Sequence, residues 1–349
     1  MLHRKFFLVV LSVFPAMIGS AGPTGVYAPL PQTQAAIIAP KLRFGQGRLF
    51  VPCNIRVSGS EILVLDEVAP MTPDDNKIVV FDTAGRWKSE FGRGGQGPGE
   101  FGQAHSFEVH GDVISILDSF RQCIQEFAAS DKRFLRTVRY GAEQVITTPH
   151  DFAVLEGGGY VLAKPRGVRG DKTLLQIGPD GKPLASFLEV LPVYETYEEL
   201  LAKGSSQEPD RVRKNYVNLG YLESAGRTIY YLSWLRNEIL AFDFDGKEIG
   251  RHALPLPSLE KTVRIVKENG FSNIERRLNY GLRCAGDRIW VLSRDEAGVS
   301  ILFEIAGGRV VERLRAKETL QDFAVAGDSL FAVDQDAAEI LVYPLPPVR

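Results

Sequence analysis

The sequence predicts an all-β fold, a six-bladed β-propeller of four-stranded blades, and two observations carry this prediction. A unit of short β runs joined by tight turns recurs six times along the 349 residues. The sixth unit lacks its fourth strand, whereas a spare β segment precedes the first unit. Four-stranded units at this spacing are typical of propellers, and pairing of the two chain ends would close the ring.

The first strand of each unit ends near a glycine and is expected to line the central channel. These strands are Asn54–Gly59, Ser106–Gly111, Asp151–Gly157, Gly220–Gly226, Gly281–Gly286 and Asp322–Gly327. The second strands follow at once and are rich in Ile, Val, Leu and aromatic residues, as strands buried on both faces should be. They are Glu61–Asp66, Asp112–Asp118, Tyr160–Ala163, Thr228–Trp234, Arg288–Ser293 and Ser329–Asp334.

The third and fourth strands are separated by Asp-Gly, Gly-Gly and similar pairs, which are strong hairpin signals. The third strands are Lys77–Asp82, Ile124–Ala128, Leu174–Gly178, Glu238–Asp243, Ile301–Ala306 and Glu339–Leu345. The fourth strands are Trp87–Phe91, Phe134–Tyr140, Pro183–Val190, Glu248–Leu256 and Val310–Ala316.

The spare segment Ala35–Leu42 is predicted to supply the missing fourth strand and to close the ring. Pro40 is acceptable there because a fourth strand is an outer edge, where a missing N–H costs no ladder bond. A double β-sandwich is the alternative all-β fold. The sixfold repetition, with one strand absent at one terminus and present at the other, favours the ring.

The N-terminus has the pattern of a signal peptide. A positive start, His3 to Lys5, precedes an apolar core, Phe6–Ile18, and small residues follow. This core is too short to span a bilayer comfortably. We expect cleavage after Ala21 or Ala28, so that residues 1–28 are the signal peptide and 29–349 the propeller. An uncleaved anchor is the alternative. The mature protein is therefore expected to be periplasmic or extracellular, without a membrane span.

Charge and cysteine content exclude several classes of function. Lys and Arg number 41 against 43 Asp and Glu, and no basic run or stripe occurs, which argues against a nucleic-acid partner. The three cysteines have no metal-ligand spacing and are read as small buried hydrophobic residues. No metal and no cofactor are expected, and we expect a monomer.

The connections between strands divide the predicted ring into two faces. The turns from first to second and from third to fourth strand are tight and share one face, the short-turn face. The other connections share the long-loop face, where the insertions Leu191–Leu219 and Pro257–Tyr280 fall. Helical spacing predicts a short helix near Tyr194, a second over Ser258–Asn269 and a third from Ser272.

Function is expected on the long-loop face, because rigid scaffolds carry binding residues on such loops. The predicted partner is a protein, a peptide or a carbohydrate. The Gly-rich loop Arg93–Ala104 joins this face but lacks the ending of a phosphate loop. The predicted ligand-binding residues are Arg93, Tyr280, Gln321, Arg213 and Arg276.

The starts of the first strands define the channel mouth and supply the candidate catalytic residues. These are His105, His150, Asp151 and Asp322, which could bind a metal or polarise a substrate. The alternative is that they satisfy loop backbone groups. No Gly-x-Ser-x-Gly elbow, His-Glu-x-x-His motif or paired-cysteine spacing is present, so the sequence leaves open whether the protein is an enzyme.

The sequence resembles the NHL-type six-bladed propellers of exported bacterial proteins. The resemblance lies in Gly97–Phe101, Asp118 and Arg121–Phe127. It implies a propeller with a binding role, often toward protein or peptide. Some six-bladed relatives are metal-dependent lactonases, or lyases acting on peptides or antibiotics, which makes a hydrolase or lyase at the channel mouth the alternative function. The lactonases use Glu, Asn and Asp there, whereas this sequence offers Asn54, Asp151 and Asp322 without the Glu.

Overall fold

The computed structural model describes residues 35–67, 76–141, 149–164, 172–189, 218–256, 264–268 and 271–346, with the backbone alone for 264–268 and 271–276. These residues form six four-stranded antiparallel sheets and one separate strand pair. The predicted six-bladed propeller is confirmed. The inner strands of successive blades contact one another in chain order, and the last contacts the first, so the blades form a closed ring.

Strands are numbered in chain order. They are β1 (Leu42–Phe44); β2 (Pro52–Ser58), β3 (Glu61–Asp66), β4 (Lys77–Asp82) and β5 (Trp87–Phe91) of blade 1; β6 (Ala104–His110), β7 (Val113–Asp118), β8 (Cys123–Ala128) and β9 (Phe134–Arg139) of blade 2; β10 (Asp151–Val154), β11 (Tyr160–Ala163), β12 (Lys172–Ile177) and β13 (Pro183–Glu189) of blade 3; β14 (Gly220–Ala225), β15 (Thr228–Ser233), β16 (Glu238–Phe242) and β17 (Glu248–Ala253) of blade 4; the pair β18 (Arg264–Glu268) and β19 (Phe271–Arg276); β20 (Asn279–Ala285), β21 (Arg288–Arg294), β22 (Ser300–Ala306) and β23 (Arg309–Ala316) of blade 5; and β24 (Leu320–Ala326), β25 (Ser329–Asp334) and β26 (Glu339–Pro344), which form blade 6 with β1.

Alternation along the second strands explains why neighbouring blades pack together. In β3, Leu63 and Leu65 pack against Phe107 of blade 2, in one hydrophobic cluster. The intervening Ile62 and Val64 point to the other face and pack against blade 6. Because successive side chains of a strand point to opposite faces, an uninterrupted apolar run serves two interfaces at once.

The ring is closed by β1, which pairs with β26 in the register Leu42↔Val342 to Phe44↔Ile340. Closure by the N-terminal segment is confirmed, but the predicted range Ala35–Leu42 is wrong by several residues. Pro40 has no N–H, and pairing begins beyond it. The aromatic ring of Phe44 packs against that of Phe81, with centroids 5.1 Å apart, and this contact fixes the register.

The predicted helices over Ser258–Asn269 and from Ser272 are wrong where the structure describes this insertion. Strands β18 and β19 pair antiparallel, with Glu268 opposite Phe271. Asn269-Gly270 was interpreted as a helix stop, but an Asn-Gly pair between β-branched runs also favours a hairpin. The helix predicted near Tyr194 lies outside the described residues. No helix in the described ranges is long and apolar enough to cross a membrane.

Candidate functional site

The central channel contains a cavity of about 280 Å³ at its short-turn end. The cavity is lined by the later residues of all six inner strands, which lead into the turns to the second strands. The long-loop face was predicted to carry the site, so this position is unexpected. Much of the long-loop face lies outside the described residues.

The inner strands can be aligned through equivalent hydrogen bonds between blades. The carboxylate of Asp322 accepts the N–H of Ile55 at 2.9 Å, and that of Asp151 accepts the N–H of Leu222 at 2.8 Å. Two residues beyond each of these aspartates, and at the matching place in the other blades, the side chain borders the cavity. Around the ring this position holds Arg56, Glu108, Ala153, Glu223, Arg283 and Ala324.

Asp322 of blade 6 joins the two arginines of this ring. Arg283 donates from Nη2 to Asp322 Oδ2 at 2.6 Å, and Arg56 Nη1 lies 3.5 Å from the same oxygen. Arg56 also donates from Nε to Glu108 at 3.0 Å, and Arg283 Nη1 lies 3.3 Å from Glu223. Blades 1, 2, 4, 5 and 6 are thus tied together by buried ion pairs around the channel.

Asp151 of blade 3 has neutral partners. Its carboxylate accepts the Ser106 hydroxyl at 2.7 Å and the Leu222 N–H at 2.8 Å. Burial raises the pKa of Asp151 to about 6, and the charge of Glu108 adds to this rise, while the two hydrogen bonds and Arg56 oppose it. Burial likewise raises the pKa of Glu223 well above its usual range, again with Glu108 adding to the rise.

His105 and His150 lie at the long-loop end of the channel on neighbouring blades. Nε2 of His150 lies 2.5 Å from the carbonyl oxygen of Gly220 and 3.1 Å from its nitrogen, so it either donates to the carbonyl or accepts the N–H, according to the tautomer. Burial lowers the pKa of His150 to about 3 and also lowers the pKa of His105. A neutral imidazole with so low a pKa is a weak base at neutral pH.

An aromatic and arginine cluster adjoins these histidines and was missed from the sequence. The guanidinium of Arg277 lies 4.0 Å from the ring centroid of Trp234, which packs edge-on against His150 at 5.4 Å. Arg294 lies 3.6 Å from the ring centroid of Tyr280. Such cation–π contacts orient arginines without an acid partner. Trp234 follows β15 of blade 4, whereas Tyr280 and Arg294 lie in β20 and β21 of blade 5, so no local sequence pattern brings the whole cluster together.

The Gly-rich loop between β5 and β6 is held in place by side chains of blade 2. Arg121 donates to the carbonyls of Gln96 at 2.7 Å and Glu100 at 2.6 Å, and Asp118 accepts the Gly102 N–H at 2.7 Å. These bonds tie the loop to blade 2. Arg93 lies at the base of the loop, where its carbonyl accepts the N–H of Phe101 at 2.7 Å; its side chain pairs with Glu100 and stays 76% exposed.

Two phenylalanines on the same face are exposed to solvent, Phe50 at 60% and Phe120 at 74%. Phe50 precedes β2, and its N–H donates to Asp66 at 2.9 Å. Phe120 follows β7, two residues after Asp118. Asp66 and Asp118 end equivalent strands and are fully buried, and Asp118 accepts the N–H of Arg121, the residue after Phe120, at 3.1 Å.

The sequence-predicted site residues do not form one constellation. Asp151 and Asp322 lie on opposite blades and link inner strands, while His150 and His105 lie together at the mouth.

The residues predicted to bind a ligand are also dispersed. Tyr280 is buried beneath Arg294, and Gln321 is half-buried in β24. Arg276 lies in β19, where the backbone alone is described, and Arg213 is outside the described residues. Among the described residues, no group of three or more His, Cys, Asp or Glu could hold a metal ion.

The comparisons with known proteins agree on the fold. A family model described as a 6-bladed beta-propeller matches residues 49–173. Whether the chain is of the NHL type stays a prediction. No curated protein is similar to the chain in sequence.

Three solved structures share the architecture. A Bacteroides fragilis NCTC 9343 protein described as exported has a TM-score of 0.53 at 13% identity, covering 81% of this chain and 79% of its own. A streptogramin B lyase has a TM-score of 0.50 at 15% identity, covering 84% and 93%. A Bacteroides thetaiotaomicron VPI-5482 protein of unknown function has a TM-score of 0.55 at 10% identity, covering 85% and 70%. At these identities the similarity extends to the fold alone.

Proposed function

We propose that this six-bladed propeller is an exported binding scaffold that docks a protein partner on the long-loop face of blades 1 and 2. The observation that carries the proposal is the pair of exposed phenylalanines, Phe50 and Phe120, on neighbouring blades of that face. Large exposed aromatic side chains are costly in water and are the residue type that dominates protein interfaces.

The anchoring of these two side chains supports the proposal. Asp66 accepts the N–H groups of Phe50 and Val51, and Asp118 accepts those of Gly102 and Arg121. A loop that is already ordered loses little conformational entropy on binding. Arg93, on the Gly-rich loop of the same face, is exposed and can supply a charged contact to a partner.

A protein partner is favoured over a carbohydrate because the two phenylalanines stand at least one blade apart on separate loops. A sugar ring stacks on one aromatic face, whereas a protein surface of ordinary interface size covers both positions. Peptide and carbohydrate partners are alternatives that the experiment below distinguishes.

Export is part of the proposal. It is supported by the signal-peptide pattern over residues 1–28 and by the Bacteroides fragilis structure, whose description assigns that protein to export. N-terminal sequencing of the protein recovered from the cell envelope should begin after Ala21 or Ala28. Recovery of the full-length chain from the cytoplasm would contradict export.

The alternative, a hydrolase or lyase at the channel mouth, has less support. Asp151 and Asp322 are occupied by contacts with the inner strands of neighbouring blades, and burial lowers the pKa of His150 to about 3. Lactone hydrolysis or lyase turnover by the purified protein, abolished by His150→Ala, would favour that alternative.

The docking proposal is tested by site-specific photo-crosslinking in the source cells. A benzoyl-phenylalanine placed at Phe50 or Phe120 should give one discrete protein adduct. The matched control position is Leu184, which is 64% exposed near the short-turn end of an outer strand and should give none.

The partner identified in this way is then titrated against purified variants. Phe50→Ser with Phe120→Ser should weaken binding by about tenfold or more, since each buried aromatic anchor contributes ~1–2 kcal/mol. Leu184→Ser with Ile249→Ser should leave binding unchanged. Equal adducts at all positions, or partner binding that survives loss of both phenylalanines, would overturn the proposal. Crosslinks to peptide or glycan alone would replace the protein partner by that class.

A further inference from the structure

The cavity at the short-turn end of the channel lies on the face opposite Phe50 and Phe120, so its role is independent of the docking surface. Its volume is about 280 Å³. It borders four charged side chains, those of Arg56, Glu108, Glu223 and Arg283. A space of this size among buried charges is a candidate ligand site.

The charges around this cavity do not balance. Two guanidinium groups, those of Arg56 and Arg283, face four carboxyl groups, those of Glu108, Glu223, Asp151 and Asp322. All of them are largely buried, and burying a charge without an opposite partner costs several kcal/mol. Among the described residues around the cavity, carboxyl groups therefore outnumber guanidinium groups.

The deficit is localised on the side of blades 3 and 4. Both arginines direct donors to Asp322 and to backbone carbonyls: Arg56 to Ile55 at 2.9 Å, and Arg283 to Phe323 at 3.0 Å. Among the described residues, Glu223 receives one arginine contact, at 3.3 Å, and Asp151 bonds a serine hydroxyl and a backbone N–H rather than an arginine. Glu223 borders the cavity directly.

We propose that the channel cavity binds a small aliphatic amine, whose ammonium group pairs with the carboxylate of Glu223 and lies within the field of Glu108. An ammonium group offers three donors and a compact charge, which complements under-compensated carboxylates. The apolar part of the amine would contact the valine, alanine and cysteine that separate the charged side chains, namely Val109, Val154, Ala324, Val325 and Cys284.

The elevated proton affinity of Glu223 is consistent with this assignment. Burial raises its pKa, Glu108 and Asp151 raise it further, and Arg283 and Arg56 lower it. The thiol of Cys284 also faces it. A bound ammonium ion favours the ionised carboxylate, so binding should release protons, and the affinity should fall as the pH is lowered.

The test is calorimetric titration of the intact exported protein with three probes of similar size: 1,4-diaminobutane, n-butylamine and the neutral n-butanol. Both amines should bind, the diamine more tightly, and n-butanol should not. Titrations in buffers of different ionisation enthalpy should show proton release on binding of the amine.

Two variants address the site itself. Glu223→Gln removes the charge while keeping the shape, and it should weaken amine binding by about tenfold or more, as expected for loss of a charge-assisted hydrogen bond. Ala285→Trp changes an exposed residue at the cavity rim and should block entry without altering the core. The matched control, Glu90→Gln, removes an exposed carboxylate on an outer strand and should leave binding unchanged.

The proposal is overturned if n-butanol binds as well as n-butylamine, if Glu223→Gln keeps the wild-type affinity, or if neither amine binds at millimolar concentration to the folded protein. Circular dichroism of Glu223→Gln confirms that a loss of binding is not a loss of fold. The serine variants of Phe50 and Phe120 should bind the amines normally, so that failure of the docking proposal and failure of this one are separable.

Discussion

Blades 3 and 6 carry the same four residues, Asp-Phe-Ala-Val, in their inner strands and place them in opposite electrostatic surroundings. Asp151–Val154 and Asp322–Val325 lie across the channel from each other, and each aspartate accepts one backbone N–H from the next blade. Asp322 then meets two arginines, whereas Asp151 meets a serine hydroxyl.

The difference arises from neighbouring blades rather than from the repeated tetrapeptide. Blades 1 and 5, which flank blade 6, carry Arg56 and Arg283 at the cavity, whereas blades 2 and 4, which flank blade 3, carry Glu108 and Glu223. A repeat therefore fixes where a carboxylate lies in a propeller, and the flanking repeats decide its charge partners. Around blade 6 the carboxylate of Asp322 is paired with two arginines. Around blade 3 the carboxyl groups have fewer positively charged partners.

The strongest test of this contrast is to remove each aspartate in turn. Asp322→Ala leaves two buried guanidinium groups without their shared carboxylate and should reduce the free energy of unfolding by about 3–5 kcal/mol. Asp151→Ala removes two hydrogen bonds from neutral donors and should cost ~1–3 kcal/mol. Urea unfolding at pH 7, followed by tryptophan fluorescence, measures both. Because each variant also loses one inter-blade backbone acceptor, equal costs would show that the arginines do not distinguish the two sites.

A smaller effect should appear in the pH dependence of stability. The pKa of Asp151 is raised in the folded protein, from 3.8 to about 6, so the folded state binds its proton more tightly than the unfolded state. The contribution of Asp151 to the free energy of unfolding is therefore greatest at low pH and is lost as the pH rises from about 4 to about 6. The full change is about 3 kcal/mol, at ~1.4 kcal/mol per pKa unit.

The variant Asp151→Asn isolates the effect of Asp151 titration on stability. An amide can accept from Leu222 and donate to Ser106 without a charge. The difference in unfolding free energy between wild type and Asp151→Asn should shift in favour of the variant between pH 4 and pH 7. Wild-type and variant curves that run parallel across this range would show that Asp151 titrates normally.

Much of this architecture could be predicted from the sequence because it depends on local periodicity. The inner strands, the hairpin turns and the closure by the N-terminal segment all follow from apolar runs and glycine positions. Gly59 and Gly111, for instance, adopt φ values of 57° and 56° in equivalent turns, a conformation that favours glycine. The closing strand was misplaced because its register depends on pairing with β26, at the other end of the chain, which no local pattern of the sequence indicates.

The channel site could not be predicted in the same way because it depends on which residues of different inner strands lie at the same height along the channel. Aligning the strand starts drew attention to Asp151 and Asp322 as catalytic candidates. The arginine partners of Asp322, Arg56 and Arg283, stand two residues further along other blades. Once the six strands are aligned by their inter-blade hydrogen bonds, the alternation of arginine, glutamate and alanine becomes visible. The secondary structure on the long-loop face could not be predicted either, because the hydrophobic periodicity of its insertions is weak.

The smallest effect concerns the hydroxyl that distinguishes Asp151 from Asp322. Ser106 donates to Asp151 at 2.7 Å, and this bond opposes the rise of its pKa because it stabilises the charged form. Ser106→Ala should therefore raise the pKa of Asp151 further and destabilise the protein by about 1 kcal/mol at pH 7, with a smaller loss at pH 4.5. Carboxyl carbon chemical shifts measured by NMR across pH 4 to 8 report the pKa directly.

The matched control is Ser293→Ala, at a buried serine of blade 5 that bonds Asn279, and it should leave the titration of Asp151 unchanged. If Ser106→Ala lowers the pKa of Asp151 instead, the hydroxyl stabilises the protonated acid, and the two halves of the channel differ less than their geometry indicates.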